Sequence, residues 1–441
     1  MTLWSSTRVP IRRLAAGLAA AALLLGLAAL LPAASSNAEP SAARFGLGDG
    51  WVASWAASPM AGTSRGSAAA HTGFADQTVR NIIYTSVGGD ELRVQVSNTF
   101  GATPLTVGAV SVGVVLDGAQ LVPGTTRPVT FRGAASVTVP AGAEALSDPL
   151  AMTVRPLQEL AVSLYLPAAT GPATNHSDAQ QTGYVASGDH AGDPAAAAYT
   201  TTDSSWFFLD GLDVHDPAAP GTVVAFGDSI TDGARSRAGA NARWPNDLAR
   251  RLIAAFGGRA PAVVDEGISG NRVLNNSACF GVSALARFER DALSQPGVTD
   301  VILLEGINDI GLSGEADGGC FTPSNPSVSA AQIEAGYQEL VNMAHARGVR
   351  IFAGTLTPFL GSAAICRGNY GTAYGEALRE AVNTWIRTSH AFDGVIDFSR
   401  VTRDPRAPRY FNPAYNSGDS LHPNDLGYEV MADAIPLRLV R

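Results

Sequence analysis

The chain contains no lysine: all 30 of its basic residues are arginine. Chemistry that needs a lysine amine is thereby excluded, including the phosphate-gripping lysine of a P-loop, a Schiff base and a Ser–Lys dyad. Positive charge is also in the minority. With 39 acidic residues the formal net charge is −9, so the basic footprint of a nucleic-acid binder is missing. Charged residues make up 16% and apolar ones 46% of the 441 positions, too apolar for disorder and ample for real cores. At about 150 residues per domain, that length implies two or three domains. Cysteine is scarce: Cys279, Cys320 and Cys366 form no C-x-x-C and no Cys/His cluster at metal-ligand spacing. The 47 Gly and 26 Pro follow no collagen-like period and read as turns of a loop-rich globular protein.

What is present begins with a leader. Arg8, Arg12 and Arg13 precede an uncharged apolar stretch over residues 14–31, and small residues follow to Ser36-Asn37-Ala38. A basic head, an apolar middle and an A-x-A-like exit describe a secretory signal peptide over residues 1–38, cut after Ala38. A retained membrane anchor is the competing reading, because the stretch just reaches spanning length. The Arg12-Arg13 pair is a weak twin-arginine signal. No other segment reaches spanning length, and the first cysteine, Cys279, is far too distant for a lipid-modified N-terminus. Removing residues 1–38 deletes three Arg and no acid, leaving an acidic exported chain at −12.

Two halves follow, with different periods. The first, residues 45–216, reads as one domain whose apolar pattern has period two from about Trp51 to Val214: Leu160, Val162, Leu164 and Leu166 share one face, and Leu92, Val94 and Val96 alternate with Arg93, Gln95 and Ser97. Short β-rich runs, Gly/Pro turns and no convincing helix predict an all-β sandwich or jelly roll. Residues 168–205 read as a long polar loop, residues 206–214 as the last strand and residues 217–221 as a linker.

From residue 222 to 441 the pattern becomes strand–helix alternation. β-rich runs at 222–226, 262–265, 301–304, 349–353 and 395–398 are separated by helical patterns at 244–256, 283–293, 330–347, 372–388 and 425–435. This predicts an α/β domain with a flavodoxin-like five-stranded parallel sheet and helices on both faces. In such sheets ligands sit beyond the carboxyl ends of the strands, so chemistry is sought in the segments that follow them.

The first strand runs into Gly227-Asp228-Ser229, which places the Ser229 hydroxyl near a helix N-terminus. The second leads into Gly267-Ile268-Ser269-Gly270-Asn271, and the third into Gly306-Ile307-Asn308-Asp309, where an Asn amide can donate to a developing oxyanion. Near the end, Asp419 and His422 lie three apart, so that the carboxylate can fix the imidazole tautomer. Taken singly, each segment is also an ordinary turn. The other histidines, at 71, 176, 190, 215, 345 and 390, have no such setting and read as exposed or structural.

Together these blocks resemble the GDSL, or SGNH, hydrolase family, whose markers Ser, Gly, Asn and His match Ser229, Gly270, Asn308 and His422 in order. The resemblance covers the chain from residue 222. It implies a carboxylic ester hydrolase with Ser229 as nucleophile, His422 as base and Asp419 as its orienting acid. An oxyanion hole of the Ser229 and Gly270 backbone N–H groups and the Asn308 amide is also implied, with no metal and no cofactor. A literal Gly-Asp-Ser-Leu at residues 418–421 belongs to the His block, and Ser420 lacks the preceding strand of a nucleophile. No G-x-S-x-G elbow points to an α/β-hydrolase. The segments WVASW (51–55), TVR (78–80) and LRVQVSN (92–98) are similar to the leader domain of an exported subgroup resembling a rumen xylan-cluster arylesterase or acetylesterase. That subgroup implies acetylated polysaccharide or aryl esters as substrates.

Other functions that fit are a secreted lipase or lysophospholipase, an O-acyltransferase using the same site, and a carbohydrate-binding protein on a decayed scaffold. A flavodoxin-like cofactor binder ranks last, because the first loop lacks a Gly-rich phosphate cradle. The expected partner is a small-molecule or polysaccharide ester, with no nucleic acid and no membrane span after signal cleavage. Three cysteines in an exported chain suggest one disulfide and one buried free thiol. All three pairings remain open; Cys279–Cys320 is preferred because both flank loops of the candidate site.

Overall fold

A computed structural model describes residues 49–62, 66–315, 320, 325–364 and 366–440. The expected signal peptide, 1–38, and the first residues of the β half lie outside them.

The β half is a sandwich of two antiparallel sheets. One is built on Trp51–Ala56, Leu209–His215, Gly89–Ser97 and Leu150–Val154; the other runs Tyr199–Asp203, Gly183–Ser187, Gln77–Tyr84, Glu159–Leu166 and Ala109–Asp117. Period-two patterning puts Leu92, Val94 and Val96 of the first sheet against Val79, Val112, Leu160, Val162 and Leu164 of the second.

Two expectations fail here. Residues 168–205 are not a loop, since Gly183–Ser187 pairs with Gln77–Tyr84 and Tyr199–Asp203 pairs outside it as the edge strand of the second sheet. Thr200, Thr201 and Thr202 are exposed, so backbone pairing recruits the segment and an apolar face never marks it in the sequence. A short helix, Ala68–Thr72, also forms where none was expected, capped by the Ser67 hydroxyl.

After the turn at residues 216–221 come five parallel strands: β1 Thr222–Gly227, β2 Ala262–Gly267, β3 Val298–Leu304, β4 Arg350–Gly354 and β5 Gly394–Ile396. Their order is β2-β1-β3-β4-β5, the flavodoxin-like arrangement whose winding reverses between β1 and β3. Every residue of β1 is buried, as a strand covered on both faces requires. Helices Trp244–Phe256, Ala330–Ala346, Ala373–Thr388 and Asp425–Asp433 fall where the pattern placed them. Ala284–Phe288 continues into a wider turn, Glu289–Leu293. A hairpin, Arg403–Asp404 with Ala407–Phe411, was not anticipated.

The two halves share a strand. Val52 and Trp55 of Trp51–Ala56 face the sandwich core, whereas Ala53 and Ala56 sit in the core of the parallel half. The described residues accordingly form one compact unit. Cys279 is bonded to Cys320, leaving Cys366 as a free thiol that is half-buried and not fully buried.

Candidate active site

The close approach of β1 to β3 sets the first corner. A Cβ on Gly227 would lie 2.2 Å from the Leu304 carbonyl oxygen, so only glycine fits where the chain leaves the sheet. Asp228 caps the helix Ser229–Asp232 by accepting from the Ile230 N–H at 3.0 Å, and Gly233 ends it in the left-handed region at φ 83°. Ser229 is thus the first residue of a short, rigidly started turn.

His422 approaches from the segment before the last helix. Its Nε2 lies 2.9 Å from Ser229 Oγ, and its Nδ1 lies 2.7 Å from Asp419 Oδ2. The other carboxylate oxygen of Asp419 accepts the backbone N–H groups of Leu421 at 2.9 Å and His422 at 2.8 Å. Burial alone would raise the Asp419 pKa. The hydrogen bond and charge of His422 and the two backbone donors outweigh it and hold the carboxyl well below the usual range. Arg235, largely exposed, adds a longer contact to Asp419 at 3.4 Å.

The segments after β2 and β3 adjoin the turn that carries Ser229: the Ile268 N–H donates to the Gly227 carbonyl at 3.0 Å, and the Asp228 N–H to the Leu304 carbonyl at 3.3 Å. Asn308 donates from Nδ2 to the Asn271 carbonyl at 2.8 Å, and Tyr370 donates its hydroxyl to Asn308 Oδ1. Asn271 itself is fixed by donating to the carbonyls of Phe280 and Val282, each at 2.8 Å. Gly270 has φ 83°, and a Cβ there would meet the Phe280 ring at 2.2 Å. Both observations require glycine. Asp309 joins the two loops by accepting from the N–H groups of Val273 at 2.7 Å and Leu274 at 3.1 Å.

Beneath these loops Arg287 is fully buried and reaches each of them. It donates to the Gly227 carbonyl at 2.7 Å, the Glu266 carbonyl at 2.7 Å and Asn271 Oδ1 at 2.9 Å. Acids crowd the same bed. Burial, reinforced by neighbouring Asp309, pushes the Asp228 carboxyl up to about 7. Asp309 is raised to about 6 by burial despite its two backbone donors, and burial with the nearby Asp228 raises Glu305.

The structure therefore brings Ser229, His422 and Asp419 into one hydrogen-bonded chain, with Asn308 and Gly270 on the loops beside it. Ser420 stands apart: its hydroxyl accepts from Asn416 Nδ2 at 3.3 Å, while both ring nitrogens of His422 are engaged elsewhere. Tyr370, Arg287 and Asp309 were not foreseen. Asp309 adjoins a marker and was within reach of the sequence, whereas Tyr370 and Arg287 carry no motif. Among the described residues no group of three or more His, Cys, Asp or Glu is placed to hold a metal ion.

Residues 225–430 match the family described as GDSL-like Lipase/Acylhydrolase. Solved structures similar to the chain include a lipolytic protein of the G-D-S-L family from Desulfitobacterium hafniense: 18% identity, 48% of this chain and 97% of that one, TM-score 0.36. A GDSL-like lipase from Bacteroides thetaiotaomicron is 15% identical over 50% of this chain and 88% of its own, TM-score 0.36. The acetylxylan esterase Axe2 from Geobacillus stearothermophilus is 21% identical over 49% of this chain and 92% of its own, TM-score 0.36. No curated protein matches the chain.

Proposed function

Residues 225–430 form a GDSL-like lipase/acylhydrolase domain, and from this premise of a carboxylic ester hydrolase we propose a secreted serine esterase that removes short acyl groups from carbohydrate or aryl esters. The observation that carries the reading is the chain Ser229–His422–Asp419, with contacts of 2.9 and 2.7 Å. Ser229 Oγ attacks the ester carbonyl as His422 Nε2 takes its proton. Asp419 keeps a proton on Nδ1 and stabilises the imidazolium. The oxyanion is received by the N–H groups of Ser229 and Gly270 and by the Asn308 amide. His422 then protonates the departing alcohol, and water releases the acyl group from Ser229.

A small acyl group is supported by the Phe280 ring packed against Gly270, next to the Cys279–Cys320 bridge. The sugar side is supported by Tyr410, an exposed aromatic on the unforeseen hairpin, which pairs with Leu360 beside Ser420 and Gly361. Export is supported by the leader pattern at residues 1–38 and by the disulfide, which belongs to oxidising compartments.

Hydrolysis of p-nitrophenyl esters from acetate to palmitate tests the reading. Short-chain turnover is expected, absent in Ser229→Ala and largely retained in Ser420→Ala. Equal or better turnover of the long esters would make the protein a lipase. Activity surviving in Ser229→Ala would dismiss this site altogether.

A further inference from the structure

The β-sandwich contributes a buried charged side chain to the loops around Ser229. His176 lies in its short strand Asn175–His176 and is buried. Its Nδ1 is 3.0 Å from the Ser58 carbonyl oxygen, and its Nε2 is 3.1 Å from Asp232 Oδ1. A carbonyl and a carboxylate are both acceptors only, so both ring nitrogens must donate, and the group that satisfies them is the imidazolium. Burial opposes that charge, yet Asp232 and the Ser58 bond overcome it and raise the pKa.

Asp232 closes the helix that Ser229 opens, and its other oxygen faces the second loop. Asp232 Oδ2 accepts the Ser269 N–H at 3.0 Å and the Ser269 hydroxyl at 2.8 Å. A Cβ on Gly267 would sit 2.2 Å from the Asp232 backbone nitrogen, so the end of β2 packs directly on the end of the Ser229–Asp232 helix. Asp178 of the β half also meets the Ser269 hydroxyl, at 3.0 Å. The segment 269–270 is thus held from one side by a carboxylate whose own orientation is set from the other half of the chain. Ser269 directly precedes Gly270, the proposed oxyanion donor.

We propose that His176 is a positioning residue: through Asp232 it sets the Ser269–Gly270 backbone, so the β-sandwich completes the oxyanion hole rather than serving only as an appended module. The inference rests on the function proposed above. The groups around His176 are Asp232, Asp178 and Asp265, which favour the imidazolium, and Arg243, which opposes it. Loss of the His176 proton leaves one acceptor without a donor, so the loop loosens at alkaline pH.

The test compares kcat and KM on p-nitrophenyl acetate for the full chain, His176→Ala, His176→Gln, Asp232→Asn and the double variant, each with a thermal melt. Ser229→Ala serves as the reference. Displacing the loop in His176→Ala should lower kcat about 10- to 100-fold while KM stays nearly constant. His176→Gln, which keeps an N–H toward Asp232 without a titrating group, should recover most of kcat and lack the wild-type decline at alkaline pH. The double variant should be no slower than Asp232→Asn, because both act through one contact. Should His176→Ala fail to fold, the His176→Gln pH profile decides alone. An unchanged kcat in folded His176→Ala, additive losses in the double variant, or an alkaline decline persisting in His176→Gln would each overturn the inference and leave the esterase intact. Activity surviving in Ser229→Ala would overturn both.

Discussion

Tyr370 donates its hydroxyl to the side-chain oxygen of Asn308. One bond settles which end of the amide is which. With Oδ1 taken by a donor and one Nδ2 hydrogen given to the Asn271 carbonyl, the remaining N–H is directed by the protein before any substrate arrives. The Tyr370 ring is itself packed closely against Gly311, where a Cβ would come within 2.1 Å of it. Tyr370→Phe keeps the ring and removes the lock. Its kcat should fall about tenfold or more, but less than that of Asn308→Ala, which loses a donor and should drop by about 10²–10³. Steady-state kinetics on a short p-nitrophenyl ester checks the ranking, and Tyr370→Phe at wild-type turnover would refute the lock.

Arg287 should matter to stability more than any other single polar side chain near the site. It is buried with no exposed atoms and bonds to the ends of both β1 and β2, to Asn271, and to Ser58 of the β half at 2.9 Å. Lysine offers one point charge and cannot reproduce a planar fork that serves several acceptors at once. Removing one member of a buried charged network leaves its partners uncompensated, here Asp291 among them, at about 3–5 kcal/mol. Both Arg287→Lys and Arg287→Met should therefore melt well below wild type in a thermal scan. A melting point within about 2 °C of wild type would mean the network is dispensable.

Strand and helix placement in the parallel half could be read in advance because continuous apolar runs and 3.6-residue periods both report burial. The same logic explains the failure at Tyr199–Asp203, whose threonines face solvent and whose place in the sheet depends on backbone bonds to Gly183–Ser187. In the candidate site Ser229, Gly270 and Asn308 were legible because each sits in a short motif after a strand, and Asp419 and His422 because they lie three apart just before the last helix. His176 and Tyr370 were not. Each acts through one hydrogen bond to a residue more than fifty positions away, and no local spacing records such a contact.

Stability should fall as pH rises from about 4 to 7. The folded Asp228 and Asp309 titrate near 7 and 6, against about 3.9 in an unfolded chain, because burial disfavours their charge. In that window the folded state holds protons the unfolded state has released, which makes the slope negative. His176, raised, adds in the same direction: its contribution is complete below the unfolded value and is lost as pH climbs through the folded one. Asp419, depressed, acts oppositely, contributing above about pH 4 and fading only in stronger acid. Melting points across pH 4–9 should therefore peak on the mildly acidic side. Asp228→Asn, which keeps a capping side chain, should flatten the fall. A melting point that rises from pH 5 to 8 would show these carboxyls to be ionised in the folded protein.

The two oxygens of Asp419 make a sharper forecast possible for its amide. Oδ1 already accepts two backbone N–H groups, from Leu421 and His422, and only an acceptor can stay there. In Asp419→Asn the amide oxygen must keep that place, which turns the NH₂ toward His422 Nδ1. The imidazole would then accept at Nδ1 and carry its proton on Nε2, facing Ser229 with the wrong tautomer for a base. Asp419→Ala imposes no tautomer and leaves the ring free to select the active one part of the time. Turnover should therefore fall further in Asp419→Asn, by about 10³–10⁴, than in Asp419→Ala, although the asparagine is the closer isostere. Melting points should rank the other way, since the two backbone bonds survive only in the amide. Equal kcat values for the two variants would mean that Asp419 supplies charge alone and does not choose the tautomer.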